Sequence, residues 1–428
     1  MQQLPPSSAA SSASPPPPPL NLHPSKEAKS LYCLIATILV SLIFILSFSH
    51  SSSSGSPSLV RPAPKLLLLN PSSTPSPPSI AYLLSASSGG SDRLLRLLSS
   101  VYHPSNQYLL HLDLSAPQHQ RHSLALAVQS VPVFQAARNV HVLGKADFAA
   151  DPRSPSTLAS TLHAAAILLR VASRWDWFIN LSANDYPLVP QDDLLHVLSF
   201  MPRDFNFVQH SSHIGRRELR KIKPIIVDPG LYLSSQSEVF YATQKRELPN
   251  AYRLFTGSPS VILSRKFIEF CILGTDNLPR TLLMYYANTH SSQSNYFHTV
   301  VCNSRDFNKT TVNYNMHYVL WDEPPKREPR TLSMNDFEKM VESGAAFGTQ
   351  FRRDDPVLER IDRELLKRGQ GMVVPGGWCL GGDDSEDPCT VWGDADVLRP
   401  GPGAERLSKT LVQLLSNGTF QSHQCISE

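Results

Sequence analysis

Three stretches of the sequence place polar groups where an apolar run stops. Ser87-Ser88-Gly89-Gly90 follows the run 80–86, and its glycines let a backbone approach a ligand closely, although many such pairs are simply turns. His111-Leu112-Asp113 closes a second run, and strand alternation puts His111 and Asp113 on the same side. An acid there accepts hydrogen bonds from a ribose or a base edge, the alternative being an acid merely solvated at a strand end. The third stretch, 175–188, is an apolar strand ending in a loop that presents Asn184 and Asp185 before Tyr186-Pro187.

Holding a divalent ion against a diphosphate takes paired carboxylate oxygens, Asp-x-Asp, at such an exit. Asp185 stands alone there. Asp394-Ala-Asp396 has the spacing but sits in a late Gly/Asp-rich stretch that reads as solvated surface. Without a metal, cationic side chains must neutralise a departing diphosphate. Arg330, Arg352 and Arg353 follow the strand-rich region and suit that task, although each also has the ordinary use of a surface ion pair. Arg216, Arg217, Arg220, Lys221 and Lys223 form a denser cluster, which reads as a solvated helix or as a face for an acidic glycan or lipid.

The elements that must position these groups alternate. Strands are predicted over 80–86, 108–112, 140–143, 177–181 and 205–208, with helices over 92–101, 118–130, 156–173 and 192–200 between them. Ser91 is the expected N-cap of the first helix. The alternation predicts an α/β domain with a mainly parallel sheet covered on both faces, whose ligands bind outside the carboxyl ends of the strands.

The chain has 428 residues, and its 39 Lys+Arg against 36 Asp+Glu exclude the dominant basic field of a dedicated nucleic-acid binder. Fifteen Pro and twenty Ser fall within the first 80 residues, too polar a composition to bury a core. Inside that opening, residues 31–48 carry no charge and would make about 27 Å of helix, near the thickness of a bilayer core. Lys26 and Lys29 precede the run closely and favour a cytosolic N-terminus. Its length exceeds the apolar run of a cleaved signal peptide. The expected layout is a disordered cytosolic tail over 1–30, one transmembrane signal anchor over 31–48, a Pro/Ser-rich stem over 49–79 and a lumenal domain over 80–428.

Beyond Cys33 in the span, five cysteines remain, so at least one stays free or pairs between chains. Cys379 and Cys389 flank one loop and read as partners. A zinc site is not supported, because no Cys-x-x-Cys pair is present. Asn308 and Asn417 head sequons open to glycosylation on a lumenal side, whereas Asn180 heads one inside an apolar strand, where burial is expected.

The run WDWFINLSANDYPLVPQDDLLHVLS, together with QYLLHLD, FTGS, NYFHTVVCNS and PGGWC, resembles the core-2/I-branching glycosyltransferase family (glycosyltransferase family 14). The plant branch associated with glucuronic acid transfer to arabinogalactan is the most similar. The resemblance covers about Ile80 to Cys425. It implies a GT-A-type fold, type II topology in the Golgi membrane, and an inverting transfer from a UDP-sugar to an acceptor glycan on a proteoglycan, with no metal or other cofactor. By the same resemblance Asp113 contacts the uridine portion, Asp185 lies beside the donor and Arg330 lies on the diphosphate, with Arg352 and Arg353 near enough to add phosphate contacts. Family members place a glutamate base four residues before the histidine of Phe-His-Thr-Val. Here that slot is Ser294, ahead of His298. Pro259 stands where related xylosyltransferases carry an Asp, and Gly348-Thr349-Gln350 replaces a basic pair before Phe351.

The catalytic base is therefore unassigned, with Glu269, Asp276 and Asp306 as candidate replacements. The alternative function is a glycan- or nucleotide-sugar-binding partner of weak catalytic power, in complexes with active transferases. A hydrolase would need paired carboxylates flanking one bond, and no convincing pair is present.

Overall fold

The computed structural model describes residues 76–145, 148, 151, 153–232, 238–326, 328–381, 387–416, 420 and 425. The expected tail, the anchor, the stem up to residue 75 and the sequon at Asn417 lie outside the described residues. Among those described, no helix is long and apolar enough to cross a membrane.

The chain begins β1 (Ile80–Ala86), α1 (Ser91–Ser100), β2 (Gln107–Leu112), α2 (Gln118–Gln129), α3 (Pro132–Ala137) and β3 (Val140–Val142). It continues with α4 (Ser156–Val171), β4 (Trp177–Ser182), β5 (Asp185–Pro187), α5 (Gln191–Ser199), β6 (Asn206–Phe207) and β7 (His210–Ser211). Then come α6 (Arg216–Ile222), β8 (Pro224–Val227), β9 (Phe240–Lys245), β10 (Thr256–Gly257), β11 (Ile262–Ser264), α7 (Arg265–Ile272), α8 (Asn277–Tyr286) and α9 (Tyr296–Asn303). The last elements are β12 (Thr311–Val312), β13 (His317–Val319), α10 (Phe337–Glu342), β14 (Phe347–Thr349), α11 (Pro356–Glu364) and α12 (Pro402–Leu415).

Seven strands form the central sheet in the order β12-β6-β11-β4-β1-β2-β3. Every pairing is parallel except those of β11, which runs antiparallel between β4 and β6. The expected mainly parallel sheet is present, and so are its five expected strands. Both faces are covered, so the strands read as continuous apolar runs. Alternation sends Ile80, Tyr82 and Leu84 into one core with Tyr108, Leu110, Trp177 and Ile179. Ala81 and Leu83 enter the other with Leu109, Phe178 and Leu263.

One expected cap is corrected. Gly90, not Ser91, is the N-cap of α1, and no side chain caps it. The chain turns at Gly89 with φ +75°, and a Cβ on Gly90 would come within 2.8 Å of the Ala86 Cβ, so only glycine allows the helix to start this close to its strand.

Cys379–Cys389 is a disulfide as expected, Cys302 pairs with Cys425, and Cys271 is the free cysteine among the described residues. Cys302 and Cys425 lie close to His210, but the disulfide occupies both sulfurs.

Polar side chains in the core act as ties between distant segments. Asp192 Oδ2 accepts the N–H groups of Gly377 at 2.7 Å and Arg399 at 2.6 Å, which fastens the C-terminal segment to the first turn of α5. Buried Asp362 in α11 accepts from Arg96 of α1 at 2.7 Å, from the Tyr186 hydroxyl of β5 at 2.7 Å, and from two nitrogens of Arg368 at 3.0 Å each.

Removing one member of a buried ion cluster strands the charge of the others, at a cost of about 3–5 kcal/mol. Asp362→Ala is expected to lower unfolding stability by that amount, read from the denaturant midpoint of the purified chain. His298 in α9 is fully buried, and burial, helped by neighbouring His210, holds its ring down at about 3. An unfolded histidine takes up a proton near 6.5, so stability falls as pH drops from there towards 3, by about 1.4 kcal/mol per unit for each such ring. His298→Gln should flatten a plot of stability against pH in that window by about one proton.

Candidate functional site

β2, β1 and β4 are adjacent and parallel, so their carboxyl ends open side by side. The Asp113 N–H donates to the Ala86 carbonyl at 2.9 Å and the Ala183 N–H to the Ser85 carbonyl at 2.8 Å, carrying the ladder past the strand ends. Asp113 and Asp185 therefore flank the exit of β1. The Ser-Ser-Gly-Gly loop at that exit is itself anchored: Ser88 N–H meets the Ser115 hydroxyl at 3.2 Å and Gly89 N–H meets Gln120 Oε1 at 2.9 Å.

Asp113 is buried, and its carboxylate accepts the Ser115 N–H at 3.0 Å and the Ser115 hydroxyl. Asp185 is also buried. It is not in a loop, as the sequence suggests, but opens β5 opposite Thr349 of β14. Its Oδ2 turns back to the Ser182 N–H at 2.6 Å and the Ser182 hydroxyl at 3.0 Å. Its charge acts on Arg93 of α1 and His317 of β13. Burial, then Arg353, pulls the Arg93 guanidinium below its ordinary range while Asp185 opposes them. Burial lowers His317, and again Asp185 works in the other direction.

The β14–β5 pairing carries the site sideways. Phe351 N–H donates to the Asn184 carbonyl at 2.9 Å, and Leu332 N–H to the Gln350 carbonyl at 2.8 Å. Arg352 thus follows a residue bonded to the turn after β4, and Arg330 lies two residues before one bonded to Gln350 in the same segment. Both line a cavity of about 1200 Å³ whose walls also carry Arg217, Arg220, Lys326, Asp322 and Glu328. Five cations face two carboxylates. Lys326 pairs with Asp322 at 2.9 Å, and Arg330 with Asp336 at 2.5 Å. Asp336 resists ionisation through burial, but Arg330 and the Ser333 N–H bring its carboxyl below the ordinary range. A fixed anion behind Arg330 aims the guanidinium and leaves other N–H groups for a ligand.

Two expectations change here. Arg353 does not line this cavity but pairs on the surface with Asp92 at 2.8 Å. The basic segment 216–223 is not simply solvated, because Arg217 and Arg220 of α6 reach the cavity wall. Arg93 is a further cation beside these strands, one that residue order does not single out. It lies in the first turn of α1, where a cation opposes the helix dipole, and its Nη2 holds the Phe351 carbonyl at 3.1 Å. That conflict with a local rule was the available signal.

Ser294 ends a short 3₁₀ turn ahead of α9 and is half-buried, its carbonyl accepting the Thr256 hydroxyl at 3.4 Å. The Pro259 carbonyl ties this loop to β4, receiving Gln293 Nε2 at 3.3 Å and Asn180 Nδ2 at 3.1 Å. Asn180, expected to be buried, is half-buried, and its Oδ1 is taken by the Val261 N–H at 3.0 Å. Asn308 is half-buried with its Oδ1 enclosed. Asp394 and Asp396 are exposed, as expected.

The replacement bases fare poorly. Glu269 pairs with Arg265 at 2.8 Å, and the Arg265 N–H bonds the Asp176 carbonyl, at the end of β4 opposite its exit. Asp276 caps the start of α8, whereas the Ser294 loop touches that helix's far end through the bond from Ser292 to the Tyr286 carbonyl. Asp306 is exposed beyond the C-terminus of α9, with Ser294 just ahead of its N-terminus.

Residues 80–341 match the family model described as "Branch: Core-2/I-Branching enzyme". The β-glucuronosyltransferase GlcAT14A of Arabidopsis thaliana is 53% identical over 83% of this chain and 79% of its own length. GlcAT14C from the same plant is 46% identical over 90% of this chain and 94% of its own. Human xylosyltransferase 1 is 31% identical over 58% of this chain and 24% of its own. The apo crystal structure of mouse xyloside xylosyltransferase 1 matches 64% of this chain and 97% of its own, with a TM-score of 0.32 and 11% identity, a likeness too slight to bear on the reading. The matched segment holds the strand exits, the Ser294 loop and all of the cationic wall except Arg352, and the chain belongs to the core-2/I-branching enzyme family of glycosyltransferases.

Proposed function

We propose that the protein transfers glucuronic acid from UDP-glucuronic acid to galactan side chains of arabinogalactan proteins, with inversion and without a metal, as a single-pass type II enzyme of the Golgi membrane. The observation that carries this reading is the cationic cavity, whose Arg352 directly follows Phe351, the residue hydrogen-bonded to the Asn184 carbonyl just past β4. A leaving diphosphate needs its charge neutralised, and a guanidinium held by a buried carboxylate does so without reorganising during the reaction. Arg330 takes that role and Arg352 adds a second positive charge. Asp113, at the β2 exit, meets the uridine portion, and Asp185 shapes the donor side of the cleft through its hold on the Ser182 turn. The names of the plant relatives support glucuronic acid as the sugar. Asn308 and Asn417 are the proposed glycan attachment points, and the 31–48 run is the anchor.

A second reading draws on Ser294. A serine hydroxyl is a very poor base near neutral pH, and the loss of a general base typically costs about 10²–10⁴-fold. Together with the placement of Glu269, Asp276 and Asp306 away from that loop, this favours a chain of low turnover that binds nucleotide sugar and works in complexes with more active transferases.

UDP release by the full chain, supplied with UDP-glucuronic acid and a β-galactan oligosaccharide, tests the first reading. Acceptor-dependent release that survives EDTA is expected; dependence on added Mn²⁺ would overturn the metal-free step. Arg330→Ala is expected to cut kcat/KM by about 10²–10³-fold, the scale of losing one electrostatic contact to the transition state, and unchanged turnover would remove Arg330 from the diphosphate. Ser294→Glu is expected to raise kcat at pH 7 by at least about tenfold if the slot still faces the acceptor hydroxyl. An unchanged rate would mean that the proton is taken elsewhere.

A further inference from the structure

Of the cavity's five cations, Lys326 and Arg330 have carboxylate partners. Among the described residues Arg217, Arg220 and Arg352 have no such partner, and the one hydrogen bond from the three runs from Arg217 Nη2 to the Lys326 carbonyl at 2.8 Å. A neutral carbonyl fixes the direction of a guanidinium without cancelling its charge. Arg217 and Arg220 stand three apart on α6 and so share a face. Arg217 lies in the first turn, where a cation works against the helix dipole, so helix stability does not explain it. The same bond docks α6 on the 322–331 segment that carries Arg330, which ties the pair to the proposed diphosphate position.

A diphosphate engaged by Arg330 and Arg352 leaves the α6 pair unused. UDP-glucose and UDP-glucuronic acid differ in one group, a neutral hydroxymethyl against a carboxylate. A guanidinium fork matches a carboxylate with two parallel hydrogen bonds, whereas a hydroxymethyl offers one neutral contact. We infer that Arg217 and Arg220 form a carboxylate subsite that selects a hexuronic acid donor over its neutral hexose counterpart. The inference rests on the nucleotide-sugar reading above and adds to it the residues that read the sugar.

Calorimetric titration of the full chain with UDP, UDP-glucose and UDP-glucuronic acid tests it. The double variant Arg217→Gln, Arg220→Gln is expected to weaken UDP-glucuronic acid binding at least about tenfold, the scale of a charge-assisted hydrogen bond, with UDP and UDP-glucose held within about twofold. The retained UDP affinity serves as the control for folding. Arg220→Lys, which keeps the charge but loses the fork, is expected to fall between the wild type and the double variant. Equal weakening of all three ligands would put the pair on the diphosphate and overturn the inference, as would no weakening at all. If the double variant instead loses only the binding of a glucuronic acid-terminated galactan titrated without nucleotide, the carboxylate belongs to the acceptor and the donor assignment fails. A wild-type chain that binds no UDP would bring down the nucleotide-sugar reading and this inference together, whereas normal UDP binding with an indifferent α6 pair sinks only the inference.

Discussion

The carboxylate of Asp362 holds together three segments that are far apart in the sequence. It receives Arg96 from α1, Tyr186 from β5 and Arg368 from beyond α11, in a largely buried cluster. Buried ion clusters are weak sources of net stability, because desolvation offsets most of their attraction. Their value here is positional. Tyr186 adjoins Asp185, β5 pairs with β14, and β14 leads into Arg352. Fixing β5 against the first helix therefore fixes Asp185 and the strand that leads to Arg352 together. Asp192 and Asp193, buried at the start of α5, do similar work: the C-terminal loop hangs from their carboxylates by backbone N–H groups.

The site treats its charges in two ways. Asp113 and Asp185 are buried and spend their carboxylates on nearby serine and backbone donors, which sets the shape of the strand exits. The cavity cations are largely exposed, and three are left without an opposing carboxylate among the described residues. Solvated cations need no partner to be stable, but grouped around one cavity they sum to a positive field that attracts anions. Arg330, backed by buried Asp336, is the pre-aligned member of the set. Around Ser294 the arrangement is different. There the hydrogen bonds of Gln293, Asn180 and Thr256 hold the loop's shape, while the residue itself brings no ionisable group.

Much of the framework could be read from residue order alone. Continuous apolar runs broken by helical periodicity determined the β-α alternation, the parallel core and the face each strand residue takes, because period-2 and period-3.6 patterns are local properties of the chain. The same holds for the Cys379–Cys389 loop and for the two acids at the strand ends. Tertiary structure decided what those local rules do not reach. β11 is three residues long and enters the sheet antiparallel through pairings with β4 and β6, which no local pattern specifies. Arg352 and Arg353 are neighbours in sequence, yet one faces the cavity and the other an exposed aspartate. Segment 216–223 looks like any solvated basic helix until a bond to the Lys326 carbonyl brings it against Arg330's loop. A cation's role depends on which distant segment packs beside it, and only the folded chain establishes that.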